Sequence, residues 1–167
     1  MAKSPMRLSD VFRRNALIAN LQARDKRGVL AEMLSRLCEC GNFDKKQMDS
    51  VTKAVLKREE LGSTGIGKGL AVPHAKHAAV VRVTGALGLS REGVDFDALD
   101  GQPVHAIFLV LSPSDAAEEH IEALRLITEL MRDEDLCRFL KQSKNEKAMA
   151  ELLQEADEKL AQRRRSA

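Results

Sequence analysis

Aromatic residues are scarce in this chain of 167 residues, which has no Trp, no Tyr and only 5 Phe. Surfaces that bind single-stranded nucleic acid place stacking aromatic side chains between basic residues, so this class of protein is disfavoured. The formal net charge is only +2, and no strong field of one sign favours DNA, a membrane surface or an acidic substrate. We therefore expect no nucleic-acid partner.

Long apolar runs are also missing. The longest one, residues 104–111, is interrupted by His105 and is too short to cross a bilayer. Residues 1–10 lack the apolar centre of a signal peptide. The three cysteines are an odd number in a chain without an export signal, so we expect free, buried thiols. Together these features predict a cytoplasmic protein that does not insert into a membrane.

Apolar periodicity predicts helices alternating with strands. Strands are expected at Ala16–Leu21, Leu70–Val72, Val80–Ser90 and Val104–Leu111, and helices at 25–38, 44–57, from 113 onwards, at 136–140 and at 149–160. A turn is expected at 92–101. Asp115, followed by Glu118, resembles a capping box for the long helix, whose apolar stripe includes His120. The length and this mixture predict one α/β domain over residues 1–167, with a core at about 15–155 between a short N-terminal segment and a basic C-terminal tail.

The segment at 62–77 points to chemistry, because four of its first eight residues are glycines and His74 follows them closely. Backbone N–H groups of such a loop can point at phosphate oxygens, and nearby lysines add positive charge. Pro73 restricts its own backbone and biases Val72 towards extended geometry, which would hold the next imidazole in one orientation. The segment therefore predicts an anion site beside His74.

Two nucleotide-binding motifs fit this segment only in part. Residues 62–68 match G-x-x-x-x-G-K, but Gly69 stands where a P-loop needs a Ser or Thr hydroxyl for Mg²⁺. Pro73 follows where a helix should open. The glycines at 65, 67 and 69 do not have the G-x-G-x-x-G spacing of dinucleotide-binding folds either. We expect no nucleotide and no other cofactor.

A zinc site is the other alternative, since His74-x-x-His77 and Cys38-x-Cys40 both occur. The cysteines lie at a helix end, where side chains two residues apart diverge, and their spacing is not the usual one. We expect no metal. His77 is then a solvated neighbour rather than a second acceptor, and His105 a hydrogen-bonded residue of a buried strand.

The stretch from residue 58 to residue 74 resembles the active-site signature of type 2 enzyme IIA domains of the bacterial phosphotransferase system. This is the fructose/mannitol class, which includes the nitrogen-regulatory IIA proteins. The signature is carried by Arg58-Glu59-Glu60-Leu61-Gly62-Ser63-Thr64-Gly65-Ile66-Gly67 and by Gly69-Leu70-Ala71-Val72-Pro73-His74. Within it, the stretch Gly-Ser-Thr-Gly-Ile-Gly at residues 62–67 resembles the nitrogen-regulatory branch most. Weaker similarity extends over about 17–153 and includes Asp25-Lys26-Arg27 and Glu119-His120-Ile121.

The resemblance implies a fold and a set of roles. The fold is a mixed β-sheet flanked by helices on both faces. His74 is the implied phosphoryl acceptor, through Nε2, with His120 as a second active-site histidine and Arg58 as a ligand of the phosphoryl group. Further support for that group is expected from Ser63, Thr64, Gly67, Lys68, Gly69 and Ala75.

The implied function is that of a phosphohistidine carrier, an enzyme component that transfers phosphoryl groups between proteins. HPr or an HPr-like phosphocarrier would be the donor. The phosphoryl group would then pass to a IIB domain, or it would serve as a regulatory signal that changes the binding of a target protein. Because the sequence contains no fused IIB or membrane domain, nitrogen-type regulation is favoured over a sugar-specific transport role. A binding module that is never phosphorylated is a further alternative. Docking would use an apolar surface, to which Leu70, Val72 and Ala75 are expected to contribute.

Two positions depart from the family pattern. Ala75 follows the active histidine where glycine is common, and alanine would be strained if this position required a positive φ. Lys68 stands where the nitrogen-regulatory branch often has Asn. We expect these differences to affect the fine geometry and the choice of partner more than the phosphoryl chemistry.

Overall fold

A computed structural model describes residues 4–166, which form one mixed sheet and six α-helices within this range. The helices are α1 (Leu8–Val11), α2 (Lys26–Glu39), α3 (Met48–Leu61), α4 (Ala117–Met131), α5 (Glu134–Lys141) and α6 (Glu146–Ser166). The strands are β1 (Leu17–Ile18), β2 (Gly65–Gly67), β3 (Leu70–Ala71), β4 (His74–Lys76), β5 (Thr84–Val94) and β6 (Val104–Ser112).

The sheet is organised around β6. Its order is β1-β5-β6-β3-β2, with β4 also paired to β6. The pair β5–β6 is antiparallel, whereas β3 and β4 both run parallel to β6, one beside its beginning and the other beside its end. The chain from 70 to 76 therefore follows one edge of β6. This arrangement confirms the mixed sheet expected from the resemblance.

The sheet buries a separate apolar core on each face. Alternate residues of β6 point to opposite faces, as the pleat of a strand requires. Phe108 and Val110 pack with residues of α1, α4, α5 and α6, whereas Ile107 and Leu109 pack with residues of α2 and α3. Helices on both faces confirm that part of the predicted fold as well.

Two local predictions were wrong. Asp115 does not cap α4, because the helix begins two residues later and its N-cap, Ala116, makes no side-chain capping bond. Strand β5 covers 84–94 rather than 80–90, because the chain first makes a turn in which the Val80 N–H donates to the carbonyl of His77 (3.2 Å). It continues past residue 90 through a shift in register, where Gly93 has a φ of 89°.

All three cysteines are free thiols, as expected, but only Cys137 is buried, whereas Cys38 and Cys40 are half-buried. Cys38 and Cys40 donate weak hydrogen bonds to the carbonyls of Phe43 and Asn15, at 3.6 and 3.5 Å. Within the range that the structure covers, no group of three potential metal ligands is found. No helix in that range is both long and apolar enough to cross a bilayer.

Candidate active site

His74 lies on a strand that is held firmly by its neighbours. It is the first residue of β4 and stands opposite Val110 of the buried strand β6. The N–H of Val110 donates to the carbonyl of Pro73 (2.9 Å), and the N–H of Val72 donates to the carbonyl of Thr64 (3.0 Å). The backbone on the N-terminal side of the imidazole is thus bound both to the sheet and to the glycine-rich segment.

The hydrogen bonds of His74 define its tautomer. Its Nδ1 lies 2.8 Å from the carbonyl oxygen of Val72, which can only accept, so Nδ1 carries the proton and donates it. The Nε–H of Arg58 donates to Nε2 (3.3 Å), which therefore presents its lone pair. Burial is the main cause that lowers the pKa of His74, and the charge of Arg58 adds to it against the opposing effect of the Val72 carbonyl. The ring is neutral at pH 7, with a nucleophilic Nε2.

Arg58 is fixed by two contacts at the C-terminal end of α3. Its Nη1 donates to the carbonyl of Gly62 (2.9 Å), while its Nε faces the ring of His74. No other hydrogen bond of the Arg58 side chain to residues 4–166 is found, so its further N–H groups can bind an anion beside Nε2.

His120 lies next to His74 although the two are far apart in sequence. Their ring centroids are 5.5 Å apart, with 55° between the planes. His120 is only 7% exposed, and its Nδ1 lies 2.6 Å from the hydroxyl of Ser112. Burial, followed by repulsion from the protonated form of His74 and from Lys76, lowers the pKa of His120 to about 4. The structure thus brings together His74, His120 and Arg58, with both imidazoles neutral at pH 7.

A cavity of about 230 Å³ opens beside His74. It is lined by Arg58, Ser63, Thr64, Ile66, Val72, His74, Leu124, Thr128 and Met131. One side of it comes from α3 and the glycine-rich segment, and the other from α4. The cavity therefore lies where an anion could meet both Nε2 and the guanidinium.

Ser63 and Thr64 line this cavity, but both hydroxyl protons are used within the protein. Ser63 Oγ donates to the carbonyl of Phe96 and accepts from the N–H of Gly65 (3.0 Å). Thr64 Oγ1 donates to Oε1 of Glu59. Any support that these residues give to a phosphoryl group would come from shaping the wall rather than from a donated hydroxyl proton.

The turn from Gly67 to Gly69 does not line the cavity. The N–H of Lys68 donates to Oδ2 of Asp100 (3.1 Å), and its Nζ pairs with Oε1 of Glu134 (3.3 Å). Lys68 is one of two non-glycine residues within 4–166 with a positive φ, here 58°. Asn adopts this conformation more readily than Lys. The predicted contribution of Gly67, Lys68 and Gly69 to phosphoryl binding stays a prediction, and their contacts lie elsewhere.

Ala75 is not strained. It lies within β4, is buried and pairs with Leu111 in parallel register, and it is not among the residues with a positive φ. An L-residue therefore fits here without cost, since extended backbone suits any side chain.

An ion pair between the buried Glu59 and the half-buried Lys26 lies behind the site and was not predicted from the sequence. Glu59 is almost fully buried, and its Oε2 lies 2.9 Å from Nζ of Lys26. The same carboxylate accepts from the hydroxyl of Thr64. The ion pair thus joins the start of α2, the end of α3 and the cavity wall. Both residues stand in the quoted family motifs, but a contact between positions 26 and 59 is not visible as a local pattern.

The two other histidines have partners away from the cavity. His105 Nδ1 donates to the carbonyl of Ser90 (2.9 Å), as expected for a hydrogen-bonded strand residue. His77 is half-buried, its Nε2 lies 2.7 Å from Ser50 Oγ, and its Nδ1 accepts from the N–H of Ala79 (3.0 Å). It is therefore more tightly held than the solvated neighbour that we predicted.

Comparison with known proteins decides the family. Residues 10–156 match the family described as the phosphoenolpyruvate-dependent sugar phosphotransferase system, EIIA 2. The chain belongs to this family. A nitrogen regulatory protein of Bradyrhizobium diazoefficiens is 31% identical over 148 residues, which cover 89% of this chain and 95% of that protein. The fructose-specific EIIABC component of Bacillus subtilis is 33% identical over 152 residues; these cover 91% of this chain but only 24% of that longer protein.

Solved structures of enzyme IIA proteins have the same fold. The nitrogen regulatory protein IIA-Ntr of Neisseria meningitidis is 29% identical in sequence and superposes with a TM-score of 0.77. The superposition covers 87% of this chain and 98% of that one. The mannitol IIA of Escherichia coli is 22% identical in sequence and superposes with a TM-score of 0.70. The superposition covers 83% of this chain and 96% of that one. Both the resemblance to type 2 enzyme IIA and the predicted fold are therefore confirmed, whereas the roles of single residues remain proposals.

Proposed function

We propose that this enzyme IIA protein is a phosphohistidine carrier that accepts a phosphoryl group on Nε2 of His74. The observation that carries the proposal is the tautomer of His74. Because Nδ1–H is bonded to the carbonyl of Val72, the lone pair of the ring lies on Nε2, beside Arg58 and the cavity.

The reaction needs one bond exchange. An Nε2–P bond forms as the N–P bond of the donor phosphohistidine breaks, and the departing imidazole of the donor keeps the electron pair. The His74 ring gains positive charge as phosphorus adds, and its Nδ1–H donates to the Val72 carbonyl. That bond strengthens as charge develops, so it favours the phosphorylated ring.

Positioning and charge supply the rest of the catalysis, because phosphoryl transfer has little covalent chemistry for a protein to perform. The guanidinium of Arg58 would neutralise the phosphoryl oxygens next to Nε2. A neutral His120 adds no charge to the site, and the centroid of its ring lies 5.5 Å from the centroid of the His74 ring.

We infer that HPr or an HPr-like phosphocarrier is the donor and docks on exposed apolar residues around the cavity. Leu70 and Ala75, which we expected on this surface, are buried and cannot contribute. Val72, also expected there, is half-buried and lines the cavity together with the exposed Ile66. Two further exposed apolar side chains are close in sequence to site residues: Leu61, three residues after Arg58, and Ile121, next to His120. An apolar rim around a reactive group suits transient docking between proteins.

Regulation is the first candidate for the role that phosphorylated His74 serves. The relative from Bradyrhizobium, named a nitrogen regulatory protein, matches over 95% of its own length. In this role the two phosphorylation states would bind a target protein differently. Transport through a IIB domain is the second candidate. It is supported by the fructose-specific EIIA component of Haloferax volcanii, which is 32% identical over 133 residues and matched over 85% of its length.

The test is transfer from radiolabelled phospho-HPr. We expect acid-labile, base-stable label on the wild-type protein, mapped to His74 by proteolysis, and none on His74→Ala. The labelled protein is then offered to fructose and mannitol IIB domains, and chase of the label into one of them would favour the transport role. Wild-type protein that takes up no label, or His74→Ala that takes it up normally, would contradict the proposal.

A further inference from the structure

The side chain of Ser112 is held at the end of the buried strand β6. The residue is 0% exposed and pairs with Lys76 of β4 in parallel register. Its carbonyl accepts from the N–H of His77 (2.9 Å). The sheet therefore fixes the position of Ser112 Oγ, 2.6 Å from Nδ1 of His120 on α4.

The hydroxyl proton of Ser112 needs an acceptor. Within residues 4–166, Nδ1 of His120 is the only partner found for Ser112 Oγ. Because the serine is fully buried, bulk water cannot act as an acceptor for its hydroxyl proton in place of Nδ1. If Nδ1 carried the proton, the serine hydroxyl would be buried with no acceptor, which proteins avoid. The serine therefore donates and Nδ1 accepts.

The proton of a neutral His120 must then be on Nε2. Burial, with repulsion from Lys76 and from the protonated form of His74, lowers the pKa of His120 to about 4, so the ring is neutral at pH 7. No hydrogen bond of His120 Nε2 to the described part of the chain is found, and the ring lies next to His74. Within residues 4–166 no buried side-chain N or O atom lacks a partner, so this Nε2 reaches the protein surface, where its N–H can donate to an anion carried by the neighbouring His74.

We propose that Ser112 is a positioning residue that holds His120 as its Nε2–H tautomer, so that Nε2 donates a hydrogen bond to the phosphoryl group on His74. This inference rests on the proposed phosphohistidine function. It adds a residue outside the glycine-rich signature and assigns the proton of the second histidine.

The first test is ¹⁵N NMR of histidine-labelled protein without phosphate. For His120 of the wild type we expect a pyridine-type shift at Nδ1 and a pyrrole-type shift at Nε2. Ser112→Ala should move both shifts towards the average of the two tautomers, because the alanine cannot donate. Ser114→Ala, which changes an exposed serine two residues away, is the matched control and should leave the shifts unchanged.

The second test is single-turnover transfer from phospho-HPr. Ser112→Ala should be about three to ten times slower, the loss expected for one hydrogen bond, while Ser114→Ala keeps the wild-type rate. His120→Gln can place an amide N–H where Nε2–H lies, whereas His120→Asn can place one only near Nδ1. We expect His120→Gln to transfer faster than His120→Asn.

Two results would overturn the role of Ser112. One is a pyrrole-type Nδ1 on His120 in the wild type, and the other is wild-type shifts and rates in Ser112→Ala. The wild-type NMR spectrum decides the matter even if Ser112→Ala does not fold. A wild-type protein that phospho-HPr fails to label would count against the proposed function, while the ¹⁵N shifts would still decide whether the serine sets the tautomer.

Discussion

His74 and His77 lie three residues apart on one segment, yet their rings are held in opposite tautomers. The Nδ1 of His74 donates to a carbonyl two residues before it, that of Val72. The Nδ1 of His77 accepts from an N–H two residues after it, that of Ala79, so its proton is on Nε2 and points at Ser50 Oγ. The backbone group that meets Nδ1 therefore decides whether Nε2 is a nucleophile or a donor.

This contrast shows why proximity to a glycine-rich loop does not by itself make a histidine reactive. His77 has no lone pair to offer at Nε2, since that nitrogen is protonated and bonded to Ser50. His74 offers its lone pair beside Arg58. Four experiments test this difference between the surroundings of His74 and His77.

The largest effect is expected from replacing each histidine by glutamine. His74→Gln should lose at least a thousandfold in transfer rate, on the order expected for a missing nucleophile. His77→Gln should stay within about twofold of the wild type, because its amide can still donate to Ser50. Single-turnover labelling from phospho-HPr measures both. Equal loss in the two variants would remove the distinction between the rings.

The ion pair behind His74 should matter more for stability than any group around His77. Glu59→Leu leaves Lys26 without its buried partner and should cost about 3 to 5 kcal/mol in the free energy of unfolding. Glu60→Leu alters the adjacent exposed carboxylate and should cost no more than about 0.5 kcal/mol. Urea unfolding measures both values. The double variant Lys26→Met with Glu59→Leu should recover part of the loss, and a loss as large as that of Glu59→Leu would contradict this account.

Acid should destabilise the protein through the buried imidazoles. The pKa of folded His120 is lowered from 6.5 to about 4, so the unfolded chain binds the proton first as the pH falls. The contribution of neutral His120 to the free energy of unfolding is therefore fully present above pH 6.5. It is lost as the pH falls towards 4, and the loss is on the order of 3 kcal/mol. The lowered pKa of His74 acts in the same direction. Urea unfolding between pH 4 and pH 7.5 should show a smaller pH dependence for His120→Gln, and an unchanged dependence would exclude His120 as its source.

The smallest effect is expected from Arg58→Lys. Lysine keeps the positive charge but loses the planar set of donors that contacts both Gly62 and His74. Transfer should slow about tenfold while the phosphoryl group still goes to His74. Lys57→Arg, on the exposed side of the same helix, is the matched control and should transfer at the wild-type rate.

Much of the fold and the main outline of the candidate site could be predicted from the sequence. Apolar periodicity located the long helices because each buries one stripe, and the resemblance of the stretch 58–74 to the family signature implied the roles of Arg58 and His74. Those predictions depend on short-range patterns, which a single sequence contains.

The remaining features depend on contacts between different helices, strands and loops, which form only in the folded chain. The pairing of Lys26 with Glu59 requires two helices to pack on the same face of the sheet, and that of Ser112 with His120 depends on where α4 begins. The orientation of Lys68 is set by Asp100 and Glu134, from two other parts of the chain. No local pattern in the sequence contains this information.

The place of His74 on β4, beside the central strand, has a consequence for the order of events. A nucleophile on so firmly paired a strand has little freedom to swing from one protein surface to another. On the proposed function, donor and recipient must therefore use the same face in turn and exclude each other. Kinetics should then be ping-pong, and an excess of either partner in its unphosphorylated form should inhibit the relay.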